Sequence, residues 1–291
     1  MLARILKWTG IALLCLVVMF VIAYSIFTFL FNRQQNTRYA IQLREIPIPT
    51  DAVAIAAGEH LFTIKGCSDC HDKNLAGKTF LDDPLIGYFA GANLTTGKGG
   101  LRPGYSTRDW LLALRHGVSH EGKSLLLMPS YEYARLSDQD IAAIIAFCKA
   151  QPPVDRELPR THAGPVGRVL TVLGKMPLFP AQKVDHRFRQ PAVMAPAATK
   201  EYGAYLSVSC TGCHNPHLTG GESPIPGGKR VADITSRGNL GKWTESGFIS
   251  TLRTGRTPEG KQLENKDMPW SMTAQYTDEE LKALFRYLSS L

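Results

Sequence analysis

The chain has 291 residues, 44% hydrophobic and 20% charged, with a formal net charge of +8. That length suits two domains of ordinary size. The modest positive balance reads as a solvated, mildly basic surface suited to acidic partners or anionic lipid, and no nucleic-acid partner is expected. No nucleophile–base pair, carboxylate dyad or phosphate-binding loop stands out in the sequence.

Trp8 to Phe31 form 24 uncharged, mostly apolar positions. As a helix they would extend about 36 Å, enough to cross a bilayer core with some tilt. A cleaved signal peptide is the rival reading, with Arg4 and Lys7 before the run and Ala23-Tyr24-Ser25 as a weak cleavage site. Cleavage there would leave Ile26, Phe27, Phe29, Leu30 and Phe31 as an exposed apolar end, so an uncleaved anchor is expected over residues 1–31. Cys15 inside it reads as a small lipid-facing residue. Arg33, Arg38 and Arg44 follow the span, which leaves the positive-inside signal weak. Residues 32–50, polar and basic with two late prolines, are expected to be a stalk.

Two pentapeptides then carry the chemistry: Cys67-Ser68-Asp69-Cys70-His71 and Cys210-Thr211-Gly212-Cys213-His214. C-x-x-C-H is the pattern of covalent haem attachment. Two thiols three positions apart can both bond the porphyrin vinyl groups, and the next residue sets an imidazole beneath the iron. Zinc needs four ligands and either motif brings three; a thioredoxin-like site needs a βαβ setting, and no strand-rich segment is expected around either motif. The chain is therefore expected to bind two haem c groups, held by Cys67, Cys70 and His71 and by Cys210, Cys213 and His214. Four propionates would lower the net charge to roughly +4 with ferrous iron. Haem is joined to this motif outside the bacterial cytoplasmic membrane, which predicts a single-pass protein with both haem domains in the periplasm.

Residues 51–150 repeat loosely as 197–291. Helices are expected from Asp51 to Lys65 and from Thr199 to Val208, with Phe62 and Tyr205 equally far ahead of the first Cys and packed on the C-terminal helices. Ser137-Asp138-Gln139-Asp140 followed by Ile141, Ile144, Ile145 and Cys148 predicts a capped amphipathic helix, and Thr277-Asp278-Glu279-Glu280 with Leu281, Leu284, Phe285 and Leu288 repeats it. Cys148, opposite Leu288, reads as core. Asn93-Leu94-Thr95 matches Asp233-Ile234-Thr235, Leu114-Arg115-His116-Gly117 matches Leu252-Arg253-Thr254-Gly255, and Glu121-Gly122-Lys123 matches Glu259-Gly260-Lys261. Residues 151–196 carry eight prolines and read as a linker wrapping the surface, with a short helix at Val166 to Leu173.

A second axial ligand is needed if each iron only passes electrons, and a Met thioether raises the potential relative to a second His. Met128-Pro129 and Met268-Pro269 lie between motif and final helix in both copies, which makes Met128 and Met268 the leading ligands. Met272, His116 and His120 compete; Met176-Pro177 falls in the linker. His60, His162, His186 and His217 lack partner copies and read as surface residues. Arg115 and Arg253 are placed either against haem propionates or at exposed helix ends. Trp110 and Trp243, with Tyr105 and Phe248 as opposite numbers, read as pocket packing.

These residues resemble class I c-type cytochrome modules in tandem, and more narrowly the membrane-bound cytochrome c subunits of bacterial alcohol and gluconate dehydrogenases. The resemblance implies an all-α pair of haem domains relaying electrons from a periplasmic dehydrogenase toward quinone, a cytochrome or a terminal oxidase, with no catalysis of its own. Those subunits commonly carry three haems, whereas this chain has two motifs. A dihaem peroxidase with one open iron is the alternative; a thiosulfate-oxidising enzyme would want a Cys ligand, and Cys148 sits in the wrong place for that.

Overall fold

The computed structural model describes residues 1–223 and 228–291. The chain is mostly helical, as the residue pattern predicts. Helix α1 (Leu2–Gln35) is long and apolar enough to cross a membrane and is exposed along most of its length. The first repeat contains α2 (Ala52–Ile64), α3 (Cys67–His71), α4 (Thr107–His116), α5 (Ser130–Tyr133) and α6 (Asp138–Ala150). Helix α7 (Pro165–Val172) lies between the repeats. The second contains α8 (Lys200–Ser207), α9 (Thr211–His214), α10 (Glu245–Thr254), α11 (Trp270–Thr273) and α12 (Asp278–Leu288).

Each repeat is built on a close crossing of its first and last helices, α2 on α6 and α8 on α12. Glycine makes both possible. A Cβ at Gly58 would run into the Ala143 carbonyl and Phe147, and one at Gly203 into the Ala283 carbonyl and Tyr287. The helix starts are set by side chains that take orphaned amides. Asp51 Oδ1 accepts from the Ala54 amide at 3.0 Å and Thr199 Oγ1 from Tyr202 at 3.2 Å. Thr277 and Glu280 form a complete capping box on α12. On α6 the Ser137 hydroxyl accepts from Asp140 as expected, but the Asp140 carboxylate turns away from the Ser137 amide and binds Tyr205 instead.

That departure belongs to a reciprocal contact between repeats. The Tyr205 hydroxyl takes the Ser137 amide at 2.8 Å and donates to Asp140; from the other side, His60 Nε2 lies 2.9 Å from both carboxylate oxygens of Glu280. Asp140 and Glu280 occupy the same position on α6 and α12, so the spatial counterpart of Tyr205 is His60 and not Phe62. Phe62 packs on Phe147 of its own domain, with ring centroids 5.3 Å apart, whereas Tyr205 reaches the other domain's helix. The slip arises because α8 ends early, in a 3₁₀ turn over Val208–Cys210, while α2 continues to Ile64. His60 is correspondingly an interdomain residue rather than a free surface histidine.

Three further features lie beyond the paired helices, the first two of them departures from expectation. A small antiparallel sheet follows the first motif: β1 (Thr79–Asp83) pairs with β2 (Gly87–Ala90), and the linker adds β3 (His162–Ala163) to the far edge of β2. Phe89 on β2 is fully buried, which gives the hairpin its core contact. Second, residues 38–48 run along the first domain instead of standing clear of it. The Tyr39 amide donates to Gly122, Ile46 is buried, and Arg44 pairs with Asp138. Third, the linker helix forms as expected, and Phe179 after it packs on Phe31 at the end of α1, with centroids 5.2 Å apart.

Gly58→Ala and Gly203→Ala should each destabilise the protein by about 1–3 kcal/mol through overpacking against backbone. Denaturant melts of the haem-loaded protein would measure this; wild-type stability in either variant would contradict the crossing described.

Candidate haem centres

Each C-x-x-C-H segment is helical, the first wholly within α3 and the second running from the 3₁₀ turn that ends at Cys210 into α9, and each is stopped directly after its histidine. Asp72 and Asn215 there adopt φ of 64° and 62°, and Leu75 and Leu218, three residues on, take φ of 61° and 62°. With ψ of 164° and 170°, Asp72 and Asn215 lie outside the αL basin, in a strained region otherwise kept for glycine. The chain then folds back, and the Gly77 and Gly220 amides donate to the carbonyls of His71 and His214 at 2.8 and 3.0 Å.

The fold-back brings a backbone carbonyl to each imidazole. His71 Nδ1 lies 2.8 Å from the Ala92 carbonyl, and His214 Nδ1 lies 2.8 Å from the Ala232 carbonyl. Donation from Nδ1–H leaves the Nε2 lone pair for a metal and fixes the ring plane. The carbonyls are held in turn. Leu94 and Ile234 donate to Leu75 and Leu218, while Asn93 Oδ1 and Asp233 Oδ1 each accept from the amide and hydroxyl of the Thr two residues later. This gives the Asn-Leu-Thr repeat its physical role. Burial holds both imidazoles below their ordinary pKa, so neutral rings are presented.

The thiols do not suit a thiolate chemistry. Burial pushes Cys67 up to about 12 and Cys210 up to about 11, and raises Cys70 and Cys213 as well. No cluster of three or more His, Cys, Asp or Glu side chains able to hold a metal ion occurs among the described residues. Two protonated thiols beside an imidazole with free Nε2 are the donor set that covalent haem requires. Cys148 is buried on α6, as a core residue.

The Met-Pro segments share the turn at proline but are entered differently, with Leu127 at φ 64° and the Met128 amide on Leu126 in one, and the Met268 amide on Glu264 in the other. Pro129 (φ −78°, ψ 53°) and Pro269 (φ −75°, ψ 64°) are both centres of inverse γ-turns, closed by hydrogen bonds from Ser130 to the Met128 carbonyl at 2.8 Å and from Trp270 to the Met268 carbonyl at 2.7 Å. Met272 lies elsewhere: a Cβ at Gly66 would be 3.2 Å from its Sδ, so it sits against the first domain's motif. Its opposite number, Glu132, does the converse, with Oε1 2.7 Å from where a Cβ on Gly212 would lie. Each haem-attachment segment is thus touched by the other domain.

Other residues fall differently from expectation. Arg115 donates to the Leu136 carbonyl at 3.2 Å and to Asp138 at 2.7 Å, and Arg253 binds the Ala274 carbonyl and Asp278, so both arginines fasten the start of the final helix. His116 is half of a pair: its Nδ1 is 3.1 Å from Nδ1 of His186, and burial beside that ring brings it down to about 4. His186 is partly covered there rather than free on the surface. Trp110 is buried against Tyr105, and Phe248 packs on Phe285 with the rings tilted by 44°, while Trp243 donates to Glu259 at 2.7 Å. Lys65 was not legible as a site residue, since no local pattern marks it. It is buried at the domain contact, where the Tyr133 and Tyr276 hydroxyls donate to the carbonyls of Lys65 and Ile64 and its Nζ reaches Ser209 at 3.2 Å.

Comparison with known proteins agrees with this geometry. Residues 53–147 match the family described as cytochrome c oxidase, cbb3-type, subunit III, and residues 201–291 match the cytochrome c family. The chain is a tandem of two cytochrome c-type domains. It binds two haem c groups covalently. The alcohol dehydrogenase (quinone) cytochrome c subunit of Gluconobacter oxydans is 27% identical over 274 residues, 83% of this chain and 55% of that protein. The gluconate 2-dehydrogenase cytochrome c subunit of Pantoea cypripedii is 27% identical over 273 residues, 81% of this chain and 59% of that one. A dihaem cytochrome c-type protein of Cereibacter sphaeroides is 27% identical over 268 residues, 79% of this chain and 83% of its own length. The chain thus spans a little over half the length of the two dehydrogenase subunits.

Glu132 yields a pH prediction. Burial raises its carboxyl to about 7 from an ordinary 4.5, against the pull of Lys65 and Lys183. A raised folded pKa favours the folded state below pH 4.5, and that contribution is lost as the pH rises through 7. Glu132→Gln should therefore gain about 1–3 kcal/mol relative to wild type at pH 8 and progressively less toward pH 4.5, measured by denaturant melts of the haem-loaded protein. A gain independent of pH would contradict it.

Proposed function

We propose that this protein is a membrane-anchored dihaem electron relay whose two domains face the periplasm. It takes single electrons from a periplasmic dehydrogenase or similar donor and passes them to quinone, a cytochrome or an oxidase. The observation that carries the reading is the identical turn at Met128-Pro129 and Met268-Pro269, which supports a thioether ligand at each iron and no open coordination position for substrate. When bound, haem c supplies a one-electron ferric/ferrous couple.

The chain's residues do the rest. His71 and His214 are oriented by the Ala92 and Ala232 carbonyls, and that hydrogen bond raises the basicity of the ligating nitrogen. Met128 and Met268 would raise the potential relative to bis-histidine ligation. Pro129 and Pro269 fix φ and so restrict the approach of each loop. The reciprocal lock, Tyr205 of α8 on the start of α6 and His60 of α2 on the start of α12, keeps the two centres in one body. Helix α1 serves as the anchor, and the similarity to dehydrogenase cytochrome subunits supports a dehydrogenase as donor.

Met128→Ala and Met268→Ala should each abolish the near-infrared sulfur-to-iron absorption of one haem, lower that haem's potential, and open its iron to carbon monoxide; Met272→Ala should leave the band intact. An unchanged band in Met268→Ala, or ready cyanide binding with peroxide turnover in the unmodified protein, would favour the peroxidase reading or another ligand. Gentle solubilisation of membranes is expected to recover the intact protein with a dehydrogenase subunit. Recovery free of any redox partner would remove the donor assignment.

A further inference from the structure

Helix α7 carries its apolar stripe on the wrong side for a linker helix. Val166, Val169, Leu170 and Leu173 recur at i, i+3, i+4 and i+7, within an arc of about 100°, the spacing of a core-facing face. The structure leaves the two ends of that arc outward, Val166 38% and Leu173 56% exposed, with Val169 and Leu170 half-buried between them. The inward side carries the small and polar residues, with Gly167 and Thr171 buried and the Thr171 hydroxyl donating to the Gly167 carbonyl at 2.7 Å. Gly167 is needed there because the Ile86 carbonyl occupies the space of a side chain. Leu85, 56% exposed, lies beside the start of the helix, its carbonyl accepting from the Val166 amide at 2.9 Å.

The position of this face relative to α1 names its occupant. Helix α7 packs on the last turns of α1, where Phe27, Thr28 and Leu30 are partly covered and Phe31 is buried. Arg168 lies over the Phe31 ring, 5.8 Å from its centroid. The apolar run of α1 ends at Phe31, so α7 sits at the level where the span leaves the hydrocarbon. Phe27 to Phe31 covers about 6 Å of helix rise, within the depth of about 5–10 Å to which interfacial amphipathic helices sink. Arg33, two residues beyond Phe31, and Lys175, just after α7, are exposed cations complementary to anionic headgroups, while Arg168 is held by the Phe31 ring and the Ala163 carbonyl.

We infer that the outward face of α7, with Leu85 beside it, is seated in the headgroup layer of the membrane, so that the first domain is docked on the bilayer surface and does not swing on its anchor. The inference rests on reading α1 as a membrane span. It predicts that the second domain, which has no counterpart of this helix among the described residues, is the one presented to soluble partners.

The full chain carrying Cys15→Ser, with haems attached, is labelled with a nitroxide at one introduced cysteine: Val166→Cys, Leu173→Cys, Leu13→Cys in mid-span, or Lys282→Cys on α12. Each is reconstituted in vesicles of phosphatidylethanolamine and phosphatidylglycerol, with both irons kept ferrous. Relaxation by oxygen, which partitions into lipid, is compared with relaxation by a water-soluble nickel chelate. The oxygen-to-nickel ratio should be several-fold higher at 166 and 173 than at 282, and lower than at 13. Ratios at 166 and 173 equal to that at 282, with 13 in lipid, would overturn the docking while leaving the anchor intact. Water access at 13 would overturn the anchor reading and the docking with it. Shielding of 166 and 173 from both reagents would show a protein surface on this face, a second copy or a partner subunit, and would also overturn it.

Discussion

Asp140 and Glu280, each at the third position of a final helix, are both taken by a side chain from the opposite domain. Tyr205 bridges Asp140 and the Ser137 amide, and the His60 ring lies against Glu280. Because a helix start carries orphaned amides and partial positive charge, a carboxylate there is already well placed. Burial pushes the Glu280 carboxyl up, but His60 and the Thr277 amide more than offset this and hold it below its ordinary value. Breaking either contact would leave a polar group buried at the domain boundary. The two haem-attachment segments are therefore held in one body, with Lys65 buried between them and Met272 and Glu132 each against the other domain's motif.

On this paired frame the two repeats are elaborated unequally. The first receives the hairpin, the segment after α1 and the linker, and its Arg115 side chain is only 6% exposed where its equivalent Arg253 is 33% exposed. Helix α4 is correspondingly buried along most of its length, whereas α10 buries Phe248 and Thr251. In these respects the second domain is the more open of the two. The first domain carries the contacts to α1.

Much of this was legible from residue spacing. The motifs, the capped final helices, the Asn-Leu-Thr segment and the linker helix rest on short-range chemistry: caps, turns and a hydrophobic period. What escaped is non-local. Phe62 and Tyr205 are equally distant from their cysteines, yet a 3₁₀ turn in one copy displaces them in space. Arg115 and Arg253 recur at one offset, but only the fold shows that they serve helix starts. The hairpin carried signals in Pro84, Gly87 and the Tyr88-Phe89 pair, but its core contact depends on a linker strand more than seventy residues away. The apolar residues of the supposed stalk, Leu43, Ile46 and Ile48, were the clue that it would lie along the domain.

The paired domains make the two haems one rigid electron-transfer unit in the function proposed. Rapid photoreduction of one haem in the purified full-length protein, followed optically over a range of protein concentrations, tests it most directly. Equilibration with the second haem should be intramolecular, with a rate independent of dilution, and should slow when Tyr205→Phe is combined with His60→Ala. A rate proportional to protein concentration would show that electrons pass between molecules, and the paired arrangement would not be the working form.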